Sequence, residues 1–186
     1  MTLTNVRRKD RAVTDDAWIA DFLHRASVIV LGLVDADQAY VKPTLFVYDD
    51  ERRAVYFHAT KFGRTTDTLR ASPAATFTAF EMGRLLPADR AMDFSVEYES
   101  VVAFGEIAII DDEDEATYGL QLLLNKYFPH LKPVKDYAPI QPVEFKITAV
   151  FRFDIQEWVG KRKRVDDDFP GAFYYGQQPS SEAELT

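Results

Sequence analysis

The chain has 186 residues, 47% of them hydrophobic, with 14 Phe, 9 Tyr and 2 Trp, enough for one sizeable core and a single folded unit. It contains no cysteine, which excludes disulfides, thiolate metal sites and cysteine nucleophiles, and its three histidines (His24, His58, His130) lie far apart with no metal-ligand spacing. A net charge of -8 sets most of the surface against a phosphate backbone, so no nucleic-acid partner is expected, and no apolar run approaches bilayer-spanning length, so neither is a membrane. The first ten residues also lack the apolar segment of a signal peptide, and a cytoplasmic location is expected.

Taken in chain order, Thr14 reads as an N-cap, with Asp15 and Asp16 placed favourably at the positive end of a helix dipole. Trp18, Phe22 and Ala26, flanked by Ile19 and Leu23, give that helix one apolar face through about Arg25. Val28–Val34, Tyr40–Tyr48 and Ala54–Ala59 read as successive strands separated by acidic turns, the pattern of an antiparallel meander. A short helix over Arg64–Arg70 stops before Ser72-Pro73, and Ala75–Glu81 is a fourth strand. Met82–Asp93 reads as a longer loop. Ser100–Ile110 is a fifth strand, with Gly105 a bulge or close-contact point.

Glu113–Phe128 is a second main helix, carrying Leu120, Leu123, Leu124 and Tyr127 and ended by Pro129. A proline-rich passage leads to a last strand over Glu144–Trp158, where Phe145, Ile147, Ala149, Phe151, Phe153 and Ile155 alternate onto one buried face. The basic run Lys161–Arg164 meets Asp166–Asp168 at once, which neutralises much of its field. Residues 1–165 are assigned to the domain and 166–186 to an acidic tail whose last part is disordered.

The stretch from Val55 to Thr66 holds the most chemistry. An aromatic strand ends in His58, a turn with Gly63 follows, and a helix starts at once. The first turn of a helix has N–H groups without internal partners, so strand–turn–helix junctions collect donors around an anion. Gly63 permits close backbone approach, Arg64 adds a fixed charge, and Thr65 and Thr66 add hydroxyls, so a phosphate suits the site. The same residues also suit an ordinary strand-to-helix connection with solvated cations. His58 likewise suits either a backbone-bonded core position or, with an ordinary pKa of about 6.5, proton exchange near neutrality.

Six mostly antiparallel strands with few helices predict a mainly β, split β-barrel, which leaves few exposed edges. Several segments in this order resemble a known family: Arg7–Arg11; Tyr40-Val41-Lys42-Pro43 leading to Phe46; Tyr56-Phe57-His58 followed by Gly63-Arg64; and Leu86-Pro87. Ser95–Val101, Phe104-Gly105, Tyr127-Phe128-Pro129 and Trp158-Val159-Gly160-Lys161 complete the set. Together they resemble the flavin-binding split-barrel proteins related to pyridoxamine 5'-phosphate oxidase, in particular the nitroimidazole-resistance (Nim-type) branch, from Arg7 to about Arg164.

The resemblance implies FMN in a groove at the interface of a homodimer. Its phosphate would be held by Thr60, Lys61, Gly63, Arg64 and Thr65, and Pro43, Thr44, Leu45 and Phe46 would run beside the isoalloxazine ring. His58 would face the flavin or substrate as the catalytic candidate. Tyr98, Ser100, Trp158 and Lys161 would complete the site from the neighbouring subunit, although on residues alone Trp158 also suits plain packing. Thr65 stands where many relatives carry a lysine, and Lys61 is the residue able to replace that charge. The acidic tail lacks the basic signature of oxidases acting on pyridoxamine phosphate, which counts against that substrate. The implied activity is an FMN-dependent oxidoreductase passing electrons from NAD(P)H to small planar acceptors such as nitro compounds. The alternatives are a non-catalytic split barrel binding flavin or haem, and a deazaflavin (F420) protein.

Overall fold

A computed structural model of the chain describes residues 3–177, in which nine antiparallel strands form one sheet flanked by three α-helices. The strands are β1 (Ala12–Val13), β2 (Ile29–Asp35), β3 (Gln38–Thr44), β4 (Val47–Asp49), β5 (Ala54–Thr60), β6 (Ala74–Leu86), β7 (Ser95–Ile110), β8 (Thr148–Lys163) and β9 (Phe173–Tyr174). The helices are α1 (Asp16–Arg25), α2 (Arg64–Ala71) and α3 (Glu113–Tyr127). The strand order is β3-β2-β6-β7-β8-β5-β4, with β1 added to β8 and β9 to β6. Among the described residues no pairing joins the end strands β3 and β4, so the barrel is split rather than closed. No helix of the described residues is long and apolar enough to cross a membrane.

The expected meander does not form. β2 pairs with β3, and β4 with β5, but the two hairpins lie at opposite ends of the sheet. Tyr40–Tyr48 is two strands parted at Leu45-Phe46, because Phe46 is drawn fully into the core. There the Tyr127 hydroxyl accepts from the Phe46 N–H at 2.9 Å and lies 2.8 Å from the carbonyls of Phe46 and Ser27.

The core follows the period-two patterning. Ala149, Phe151, Phe153 and Ile155 of β8 are buried with Val101 and Ala103 of β7 and Phe77 of β6. Phe57 stacks on Phe151 at 4.9 Å between centroids, and Phe153 meets Phe77 edge-on at 5.0 Å. Each such aromatic contributes roughly 1.5–3 kcal/mol by burial. β5 departs from alternation: Val55 and Phe57 enter the main core, while Tyr56 is fully buried in a second cluster beneath α3. The Tyr56 hydroxyl donates to Glu115 at 2.7 Å and accepts from Arg52 at 2.7 Å, which ties α3 to β5.

Element boundaries differ where a distant partner decides them. α1 is capped by Asp15 rather than Thr14, its carboxylate accepting from the N–H groups of Ala17 (2.9 Å) and Trp18 (3.4 Å). β6 runs on to Leu86, through an irregularity between Met82 and Leu85, because the Glu97 carboxylate takes both the Arg84 N–H and its guanidinium. The expected long loop therefore shrinks to residues 87–94. The last strand starts at Thr148 and ends at Lys163, since Pro142–Lys146 coils into a 3-10 turn.

The start of the acidic tail is part of the fold. Arg84 and Glu97 form a buried ion pair at 2.9 Å, Arg84 also donates to the carbonyls of Asp166 (3.0 Å) and Asp167 (2.8 Å), and the Val165 N–H donates to Glu97 at 2.9 Å. β9 then pairs with β6. The expected terminal disorder falls on residues 178–186, outside the described residues. The Arg84 hydrogen bonds hold the Glu97 carboxyl down at about 2, from an ordinary value of 4.5. A carboxylate depressed in the folded state stabilises above its unfolded pKa and loses that contribution as pH falls through its folded one. Protection of the Phe173 and Tyr174 amides, taken relative to the intrinsic exchange rate at each pH, is therefore expected to fall between pH 4.5 and 2, and Glu97→Gln is expected to show the low protection already at pH 7. Slow exchange in that variant at pH 7 would show that the pair does not hold the tail.

Candidate functional site

β5 pairs with β8 as far as Thr60, and the Lys61 N–H still reaches the Ile147 carbonyl at 2.8 Å. The chain then turns at Gly63, whose φ of 127° and ψ of 176° lie where side chains are rarely tolerated. α2 begins at Arg64 with no side chain on its cap, and the first backbone bond runs from the Asp67 N–H to the Gly63 carbonyl at 3.0 Å. The N–H groups of Arg64, Thr65 and Thr66 therefore have no partner within the helix. The Thr66 hydroxyl donates to the Thr60 carbonyl (2.8 Å), and the buried Thr65 hydroxyl meets that of Tyr40 at 3.0 Å.

A Cβ added at Gly63 would meet nothing closer than Thr60 Cγ2 at 3.6 Å, so the cost of Gly63→Ala is backbone strain alone. That strain is worth about 1–3 kcal/mol. A lowered melting temperature is the expected reading, and an unchanged one would mean that the turn relaxes to an ordinary conformation.

Arg64 is not free. Its Nε donates to Asp35 at 2.7 Å, and its guanidinium lies over the Tyr40 ring at 4.4 Å. Lys61, by contrast, points away from the turn, its ammonium donating to the Phe145 carbonyl at 3.1 Å. Tyr40, Lys42 and Thr44 share the inner side of β3, because their register partners Leu33, Leu31 and Ile29 are buried. Pro43 takes the outer side and is exposed. Across the split, partial desolvation, and then the charge of Lys42, push the His58 pKa below its ordinary value. Both effects favour the neutral imidazole over the imidazolium.

His58 opens onto a cleft of about 610 Å³. Thr44 and Leu45 form one wall, α3 supplies Leu120, Leu124 and Tyr127, and the proline-rich connection adds Ile140 and Ile147. The site thus places a set of backbone donors and an apolar, ring-sized space on either side of Lys42 and His58. It can hold an anion at one end and a flat apolar body at the other, with a neutral imidazole for hydrogen bonding.

The structure brings together Thr44, Leu45, His58, Thr60, Lys61, Gly63, Arg64 and Thr65 along the end of β5 and the facing edge of β3. It does not bring the remainder to them. Phe46 is core. Trp158 donates from Nε1 to Asp16 at 2.6 Å and packs between Tyr48 (5.7 Å) and Arg53 (4.3 Å), on the inner side of β8. Ser100 and Lys161 are register partners on the outer side, and the Lys161 ammonium lies 5.9 Å from the Tyr98 ring. Pro43 aligns with Val30, Thr78 and Val102 in turn, so β7 is three strand spacings, about 14 Å, from β3. Within one chain Tyr98, Ser100 and Lys161 therefore stand apart from the turn.

Sequence reading missed Tyr40 and Lys42 as site residues, although their alternation with Val41 and Pro43 was a usable signal. It read Leu120, Leu124 and Tyr127 only as a helix face, and no local signal distinguishes a stripe that packs from one that lines a cleft.

The protein-family model described as pyridoxamine 5'-phosphate oxidase matches residues 15–162. No curated protein matches the chain. Among solved structures, it is similar to the flavocytochrome Anf3 from Azotobacter vinelandii, at 23% identity and a TM-score of 0.75 over 95% of this chain and 86% of that one. It is similar to the FAD and heme binding protein from Mycobacterium smegmatis, at 18% identity and a TM-score of 0.75 over 84% and 76% of the two chains. It is also similar to a putative 5-nitroimidazole antibiotic resistance protein from Bacteroides thetaiotaomicron, at 19% identity and a TM-score of 0.67 over 81% and 86%. At these identities the solved structures establish the fold, and the family match extends over most of the length. The chain belongs to the pyridoxamine 5'-phosphate oxidase family.

Proposed function

We propose that the protein is a flavin-dependent oxidoreductase that binds the FMN moiety at the turn after β5 and reduces small planar acceptors, such as nitro compounds, with electrons from NAD(P)H. The observation that carries this reading is the uncapped start of α2 beside the His58 cleft, with Lys42 between them. The residues fit the group: the N–H groups of Arg64, Thr65 and Thr66 suit its phosphate, and the inner edge of β3 at Tyr40, Lys42 and Thr44 suits its flank. The flavin, when bound, supplies the two-electron chemistry. The chain supplies position, a water-poor wall from α3, and His58. Desolvation and the charge of Lys42 favour its neutral form, so the part of His58 is to orient the acceptor by hydrogen bonding.

A homodimer completes this site. Val41 and Phe80 are exposed on the same outer face as Pro43, Ser100 and Lys161, an apolar surface that a second copy would cover. The separation of Tyr98, Ser100 and Lys161 from the turn within one chain supports their contribution across that interface. The Nim-type branch is the member class this reading favours.

Arg64 must exchange Asp35 for the phosphate as the ligand binds. Arg64→Ala removes one charge-assisted hydrogen bond of roughly 1.5–3 kcal/mol, so FMN affinity is expected to fall about ten- to a hundred-fold. Asp35→Asn removes the exposed competitor, worth at most about 1 kcal/mol, and is expected to raise FMN affinity by up to about five-fold. Fluorescence titration of the three proteins checks both, and unchanged affinity in Arg64→Ala would place the phosphate elsewhere.

A second reading, a non-catalytic haem-binding protein, is favoured by the size and apolar lining of the cleft and by the neutral imidazole of His58, the form that ligates iron. Bound flavin reduced by NADH or NADPH and reoxidised by a nitro compound supports the enzyme. A haem spectrum without flavin supports the binder.

A further inference from the structure

We infer that the His58 cleft selects acceptors carrying a cationic substituent opposite their electron-accepting end, and that Glu144 is the residue that selects them. This rests on the oxidoreductase reading above and names the class of acceptor for that same site.

Apart from two tyrosines, His58 and Glu144 are the only ionisable groups lining the cleft among the described residues. The Tyr127 hydroxyl is engaged by the main chain at Phe46 and Ser27, and that of Tyr137 accepts from Gln121 at 3.0 Å. Glu144 is therefore the one acid that a ligand meets there. It stands on the 3-10 turn Pro142–Lys146, where Pro142 at the start stiffens the backbone. Its Oε2 accepts from the Gln141 N–H at 3.2 Å, and its Oε1 accepts from no group among the described residues. Lys146, two residues on, lines a different cavity together with Lys61, whose ammonium is held by the Phe145 carbonyl.

A flat apolar ligand entering the cleft takes water from this carboxylate and returns nothing unless it brings a cation or an N–H donor. A ligand ammonium replaces the lost water with a charge-assisted hydrogen bond, whereas a ligand carboxylate adds like-charge repulsion. The charge of Lys42 acts on the His58 side, and Lys42 and Glu144 come from different walls, β3 and the connection leading to β8. Acceptor oxygens that gain negative charge suit Lys42 and His58, and a cationic tail suits Glu144. For a nitro compound, R–NO2, NAD(P)H and a proton become R–NO, NAD(P)+ and water. Two electrons pass from the hydride to the nitro group by way of the flavin, and one N–O bond breaks. The tail takes no part in that bond change, so its charge sets selectivity alone.

The test is titration of the FMN-loaded full chain at pH 7 with three nitro compounds of similar shape. They are 4-nitrobenzylamine (a cation), 4-nitrobenzyl alcohol (neutral) and 4-nitrophenylacetate (an anion). Fluorescence quenching gives the dissociation constants, and reduction by NADPH is followed in parallel. The amine is expected to bind about three- to ten-fold tighter than the alcohol, and the anion more weakly than either. Glu144→Gln keeps an acceptor for the Gln141 N–H and is expected to bring amine and alcohol within about two-fold of each other, leaving the alcohol unmoved. Glu144→Lys is expected to reverse the order. Glu144 is exposed, so both variants are expected to keep the circular dichroism of the parent. Equal affinity for the three compounds, a preference for the amine that survives Glu144→Gln, or binding of none would overturn the inference while the flavin bands still support the flavin site. The expected order of binding without any reduction would overturn the oxidoreductase reading and leave the selectivity standing.

Discussion

Gly105→Ala is expected to lower stability by about 3 kcal/mol, near the upper limit for a single added methyl group. β7 and β8 slip register between Phe104 and Gly105, so two backbones approach there more closely than in a regular ladder. A Cβ at this position would lie 2.0 Å from the Asp154 carbonyl oxygen and 2.8 Å from Phe153 Cε1. The first neighbour is backbone inside a central strand and cannot move without parting the ladder. Chemical denaturation is the measurement, and a loss below about 1 kcal/mol would mean that the two strands separate easily at the bulge.

Phe153→Ala is expected to cost about 3–5 kcal/mol, because the ring is fully buried and packs edge-on against Phe77 at 5.0 Å. The two losses are not expected to add. Removing the Phe153 ring relieves one of the two clashes made by Ala at 105, so the double variant should lose less than the sum of the singles. Strict additivity would show that the Asp154 carbonyl alone sets the cost at Gly105. The comparison matters for function because β8 carries, in one run, the partner strand of His58 and the Lys161 end of the outer face.

What could be read from sequence was whatever local pattern dictates. The alternation of Ala149, Phe151, Phe153 and Ile155 forecast the inner face of β8, and Leu120, Leu123 and Leu124 forecast α3. The junction at Gly63 was legible because a glycine, a helix start and a strand end fall within a few residues. What escaped was set by partners distant in sequence. The apolar run through Phe46, Val47 and Tyr48 hid the crossing between sheet ends, which depends on Tyr127 far along the chain. The length of β6 depends on the Arg84–Glu97 pair, and the restraint on Arg64 on Asp35. The His58 cleft needs α3 and the proline-rich connection to meet β3, a tertiary fact with no local signature.

The site itself divides the same way. Residues Thr60 to Thr65 share one short segment and were found as one group. Tyr98, Ser100 and Lys161 came only from resemblance, and their distance from the turn makes the second subunit a requirement of the proposal rather than a detail. A monomeric, flavin-bound chain in analytical ultracentrifugation would remove them from the site.

The central claim is that the turn at Thr60–Thr65 holds the phosphate of a flavin. Its most direct test is the absorbance spectrum and ligand mass of freshly purified protein, repeated after FMN addition and dialysis. The account predicts flavin bands that survive dialysis in the parent chain and are lost in Arg64→Ala. A colourless chain that retains no flavin, or one showing only a haem band, would contradict it.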